Sequence, residues 1–88
     1  MATHKQAKKR NRQRIKRRAR NLDSLGAMRT AIKRVRRALA ADDFKTAQEK
    51  LPVALRAIAK ARAKGAIHRN TASRNVSRLT RAVNAATQ

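Results

Sequence analysis

The chain has 88 residues, which is one domain at most. Its 25 Lys and Arg stand against four acids, a formal net charge of +21, and self-repulsion on that scale opposes a compact state unless a polyanion relieves it. The absence of Cys excludes disulfides and thiolate metal sites, and no apolar run approaches the roughly 20 residues of a membrane span.

The first segment, from Met1 to Arg20, carries ten basic residues and no acid. No apolar stretch follows these charges, so it is not expected to be a secretory signal. It also lacks the Ser content and amphipathic face of a transit peptide. On a helix, Lys5, Lys8, Lys9, Arg12 and Lys16 fall on one side at spacings of three and four. Arg10, Arg14, Arg17 and Arg18 cover most of the remaining circumference. Charge on every side suits insertion between phosphate backbones better than attachment to a flat surface. The plainer reading is a solvated basic tail, which is compatible with function because such segments order on binding.

Leu25, Met28, Ile32, Val35 and Leu39 follow at three, four, three and four, an apolar stripe on one helix face that Ile15 and Leu22 extend upstream. The spacing predicts a helix over about residues 5–41. Arg29, Lys33 and Arg36 share a face beside Ile32, and Arg34 and Arg37 add to the charge. An ordinary polar helix face accounts for them too, but few acids are present to balance it. Asp42 and Asp43 end the helix and are good N-caps for the next.

The second stripe is Phe44, Ala47, Leu51, Ala54, Ile58 and Ala61, widened by Leu55, and predicts a helix over about residues 43–63. Pro52 has no N–H for the carbonyl of Gln48, so a kink or break is expected there. Gly65 is the expected C-terminal stop. The third stripe, Ala72, Val76, Leu79, Val83 and Ala86, predicts a helix over about residues 68–86. Asn70 is a candidate cap, although the start can lie nearer His68. His68 itself reads equally as a polyanion contact or a helix-start residue. Arg74, Arg78 and Arg81 form a basic ridge beside the stripe, and Ser73 and Ser77 carry hydroxyls able to bond phosphate or ribose. With no strand pattern and short connections, the expected fold is all-α, a single antiparallel three-helix bundle with a long, basic first helix over residues 1–88. Its core is thin, because 19 of the 36 apolar residues are Ala.

Catalysis has little to work with. His4 and His68 are remote from each other, and Asp23, Asp42, Asp43 and Glu49 read as caps and local charge balance. No enzyme activity, metal, cofactor or small-molecule substrate is expected. The chain lacks Trp and Tyr, and its one Phe lies on the predicted core stripe, so base stacking is nearly unavailable. Binding should run through phosphates and shape. Charge alone fits RNA and DNA equally; a membrane-active peptide fits poorly because apolar anchors are few.

The run from Lys64 to Leu79 goes further. Its Lys64-Gly65, Ile67-His68, Asn70, Ala72 and Arg74, followed by Ser77-Arg78-Leu79, resemble the signature of the bacterial small-subunit ribosomal protein S-twenty family. His4-Lys5, Ala7-Lys8-Lys9-Arg10 and Arg12-Gln13 are similar to its N-terminal pattern, and Arg29-Thr30 with Ile32-Lys33 to its central one. The resemblance implies a three-helix bundle that binds small-subunit ribosomal RNA directly and helps it fold, in the cytoplasm within the ribosome. It implies RNA contacts at Lys5, Lys8, Lys9, Arg10, Arg12, Arg29, Lys33, His68, Asn70, Arg74 and Arg78; Arg14 joins them from the charge pattern. Other small-subunit components are possible further partners, and no membrane or homo-oligomer is expected.

Overall fold

The computed structural model describes residues 3–87, so the outermost positions of the expected 1–88 domain lie outside the described residues. Three helices follow in order: α1 from His4 to Ala40, α2 from Phe44 to Ala63 and α3 from Arg69 to Thr87, with no strand among the described residues. The all-α bundle with a long first helix is therefore observed.

Each helix end has a local cause. α1 begins one residue earlier than its apolar pattern suggests, because Thr3 and Gln6 form a reciprocal capping box. The Gln6 N–H donates to Thr3 Oγ1 (3.3 Å) and the Thr3 N–H donates to Gln6 Oε1 (3.0 Å). At the other end the two acids divide the labour. Asp42 takes a left-handed conformation (φ 56°) while its N–H and that of Asp43 close on the carbonyls of Leu39 and Ala38. That is a Schellman stop with Asp in the position usually held by Gly. Asp43 then caps α2, its carboxylate accepting from the Thr46 N–H (3.3 Å) and hydroxyl (2.7 Å). These bonds hold the Asp43 carboxyl below its ordinary pKa, the side-chain bond from Thr46 contributing most. α2 ends in a second Schellman motif, with Gly65 at φ 75° and the N–H groups of Gly65 and Ala66 returning to Arg62 and Ala61.

Two alternatives left open by the sequence are narrowed. Asn70 is not the cap of α3. His68 is: its Nδ1 accepts the Asn70 N–H at 3.1 Å, and its carbonyl accepts the Ala72 N–H at 3.0 Å. An imidazole nitrogen reaches the second free amide of the helix much as an Asn oxygen would. Of the kink or break expected at Pro52, the break does not occur, because α2 runs through it. Pro52 and Gln48 are both exposed, so water can serve the carbonyl that lacks an amide partner.

The core is a seam of small residues. Met28, Ala31, Val35 and Ala38 of α1, Ala47, Ala54, Ile58 and Ala61 of α2, and Ala72, Leu79 and Val83 of α3 are buried. Six of these eleven are Ala, which draws the helices close but buries little area per residue. Val35 packs with Ala54, Leu79 and Val83, and Met28 with Ile58, Ala61 and Ala72, so each helix runs antiparallel to the next. α2 packs against both neighbours, whereas α1 and α3 meet least. Leu25, Ile32 and Leu39, expected at the centre of the α1 stripe, sit half-buried at its edge; Ala31 and Ala38 are the deeper residues facing α2.

The upstream extension of that stripe is not buried. Ile15 is 60% and Leu22 57% exposed. Phe44, expected in the core, is exposed as well, at the first position of α2. Ile15 and Leu22 lie on the side of α1 turned away from the buried seam, and Phe44 stands where the bundle ends. α1 has 37 residues, α2 20 and α3 19, so the N-terminal half of α1 outruns its partners. The molecule is accordingly a rod, 61 × 20 × 15 Å.

Candidate nucleic-acid interface

The projecting part of α1 is the most basic element and the least covered. Residues 3–20 are all exposed. At 1.5 Å per residue this is a free helix of about 25 Å. Lys5, Lys8, Lys9, Arg12 and Lys16 line one shallow depression with Gln13, so the side read from their spacing exists as a surface. Arg10, Arg14, Arg17 and Arg18 occupy other sides of the same rod. Like charges recur at i and i+4, as in Lys5 and Lys9, Lys8 and Arg12, and Arg14 and Arg18. Each such pair costs a few tenths of a kcal/mol, roughly, in an isolated helix. A polyanion along the rod converts that repulsion into attraction.

Within the bundle the remaining candidates are also exposed, but they do not join one patch. Arg29 and Lys33 lie on the side of α1 turned away from the buried seam. Arg74 and Arg78 lie one turn apart on the outer side of α3. His68 and Asn70 sit at the end of the bundle from which the α1 rod departs, because α2 returns the chain to that end. With Nδ1 accepting a backbone N–H, the His68 ring keeps its proton on Nε2, where it is available as a donor. Its helix-start role is visible; the Nε2–H is what remains for a ligand. Among the described residues, no side-chain hydrogen bond uses a Lys or Arg, so these donors are free for an external acceptor.

Sequence spacing missed a joint between rod and bundle. Arg17, Arg20 and Asn21 of α1 line a depression with Lys64 from the end of α2. Beside it, Arg62 lies with Gly65, Ala66, Ile67, His68 and Arg69 along the connection into α3. Helical periodicity relates residues within one helix only, so nothing in the sequence signals this convergence. Asp23, the one acid of α1, is exposed and lines a depression between α1 and α2 with Lys60 and Lys64. Asp43 stays ionised at the far end of the bundle and holds the α1–α2 turn.

Fold and charge together define a small cationic helical rod-and-bundle with its basic groups held out to solvent. No helix among the described residues is long and apolar enough to cross a membrane. Comparison with known proteins narrows the class. Residues 2–84 match the family model described as Ribosomal protein S20. Proteins named small ribosomal subunit protein bS20 are similar over nearly their whole length. That of Syntrophus aciditrophicus is 54% identical, covering 97% of this chain and 96% of that protein. That of Persephonella marina is 51% identical, covering 98% and 94%. That of Anaeromyxobacter dehalogenans is 48% identical, covering 93% and 89%. The chain belongs to the ribosomal protein S20 family.

Proposed function

We propose that this chain is a structural constituent of the small ribosomal subunit that binds its ribosomal RNA directly through backbone phosphates and supports the folding of that RNA. One observation carries the reading: a fully exposed basic helix projects from a bundle whose other two helices also display unpaired cations. The names of the relatives support the ribosomal setting, and with it a place in the cytoplasm within the ribosome. Fixed guanidinium and ammonium groups on three helices lower the repulsion between RNA segments that approach from different sides. Arg is suited to this because its planar fork matches phosphate geometry. The contact set is Lys5, Lys8, Lys9, Arg10, Arg12 and Arg14 on the rod, Arg29 and Lys33 on α1, and His68, Asn70, Arg74 and Arg78 at and along α3. Arg17, Arg20 and Lys64 extend it across the joint. The role is not enzymatic, and it needs neither a metal nor a second copy of the chain.

The test is binding to small-subunit ribosomal RNA and to duplex DNA of equal length across a salt series. About eight phosphate contacts on B-DNA give a log–log slope near −7. An RNA complex that survives at salt that removes the DNA supports the proposal. Superimposed curves mean that charge alone is being read, and nucleoid packaging becomes the better account.

A further inference from the structure

The outer face of the α1 rod is not uniformly charged. Ile15, Ala19, Leu22 and Gly26 follow at four, three and four, and all four are exposed. Ile15 and Leu22 are the most exposed large apolar side chains of the protein, at 60% and 57%. They lie away from the seam that α1 gives to α2. Positions three before and three after a residue fall on opposite sides of it. Arg12 therefore borders Ile15 on one side and Arg18 on the other, with Lys16 and Arg14 one step further round. The stripe leads on to Arg29 and Lys33. It is an uncharged strip on a helix face that no other element covers, with basic margins beside Ile15 and, next to Leu22, Arg18 on one side and Asp23 on the other.

We infer that this strip seats in the shallow minor groove of duplex RNA, with Ile15 and Leu22 against ribose and base edges and the two basic margins on the two phosphate ridges. This rests on the RNA-binding reading above and assigns its inner contact. A-form RNA has a wide, shallow minor groove with a comparatively uncharged floor, while its major groove is too deep and narrow for side chains to read. The strip matches that order of chemistry: phosphate, sugar, phosphate against cation, apolar, cation. Ala19 and Gly26 let the helix backbone approach closely, and a Cβ placed on Gly26 meets nothing within 4 Å, so the protein itself gives no packing reason for this glycine. A second copy of the chain is a poor occupant, because it would bring two rods of ten cations together. A protein partner would have to cover the flanking guanidinium groups with a continuous anionic rim.

Three variants of the full chain test this against small-subunit ribosomal RNA. An Ile15→Ala/Leu22→Ala double variant should lose affinity on the order of tenfold, the scale for two partly buried apolar side chains, with an unchanged salt slope because every phosphate contact is retained. Gly26→Leu should melt no lower than the parent, since the site is open, yet bind RNA more weakly. Because the chain has no Cys, Ala19→Cys gives a single attachment point for a tethered hydroxyl-radical source. Paired cuts on both strands of a duplex, offset toward the 3′ side as across a minor groove, are expected. Parent-like binding by the double variant and by Gly26→Leu overturns the inference, as do cuts offset toward the 5′ side. A dimer of the free chain that the double variant dissolves overturns it too, assigning the strip to self-association. If the parent itself forms no RNA-specific complex, the RNA-binding reading falls and this one with it; if the parent binds and these variants bind equally well, the inference alone is lost.

Discussion

Removing three charges from the rod should leave the fold intact and change the salt dependence by a calculable amount. Lys8, Lys9 and Arg12 line one surface of α1, are exposed, and touch no buried residue of the bundle. Replacing them with Ala installs the best helix former and removes the i, i+4 repulsion between Lys8 and Arg12, so helicity should hold or rise. Each phosphate left without its cation takes about 0.7 to 0.9 from the slope of log affinity against log salt, so the triple variant should be shallower by about 2 to 3. The same relation puts the loss of affinity at about 100- to 500-fold in 0.1 M salt, shrinking to about 30- to 80-fold in 0.2 M. Equilibrium binding to small-subunit ribosomal RNA at several salt concentrations measures both. Lys45→Ala/Arg56→Ala, on the outer side of α2, is the control and should change little. A loss below about fivefold, or one that does not diminish with salt, refutes the assignment of this surface to phosphates.

Three further outcomes concern the scaffold. Ile58 is fully buried between α1 and α3, so Ile58→Ala should cost about 3 kcal/mol and lower the melting temperature by well over about 10 °C, read by circular dichroism. Asp42 holds a left-handed turn that Gly adopts without strain, and its charge faces the negative end of α1. Asp42→Gly should therefore raise stability by about 0.5 to 1 kcal/mol in denaturant titration, and an unchanged or lower midpoint would contradict that account of the turn. Asp43 has a folded pKa below the ordinary 3.8 because Thr46 donates to its carboxylate. Its stabilisation is fully present above 3.8 and is lost as pH falls through the lower folded value. Melts of the parent should thus drop on the acid side of 3.8 more steeply than those of Asp43→Ala, which has no such cap to lose.

Much of this protein is legible in the order of its residues because helix formation is local. Three-and-four spacing marked all three helices, Gly65 the end of α2, and Leu79 and Val83 the buried side of α3. The shared side of Lys5, Lys8, Lys9 and Arg12 follows from the same 3.6-residue period. What stayed hidden depends on which helix lies beside which. Ile15 and Leu22 continue the apolar period of α1, and only the position of α2 shows that they fall on the face it leaves uncovered. Phe44 keeps the period of α2 yet sits where the bundle ends. Ala31 and Ala38 are deeper than Ile32 and Leu39 because close-packed helices bury small side chains at the contact line and push larger ones to its edge. Arg17, Arg20 and Lys64 converge across two helices, a relation no periodicity within one helix contains. Helix positions and most caps arise between residues a turn apart, and the excess of positive charge is a matter of composition, so all three are present before the chain packs. Tertiary packing decided how far α1 projects, which apolar residues remain uncovered and where cations from different helices meet, since those depend on distances that only the assembled bundle sets.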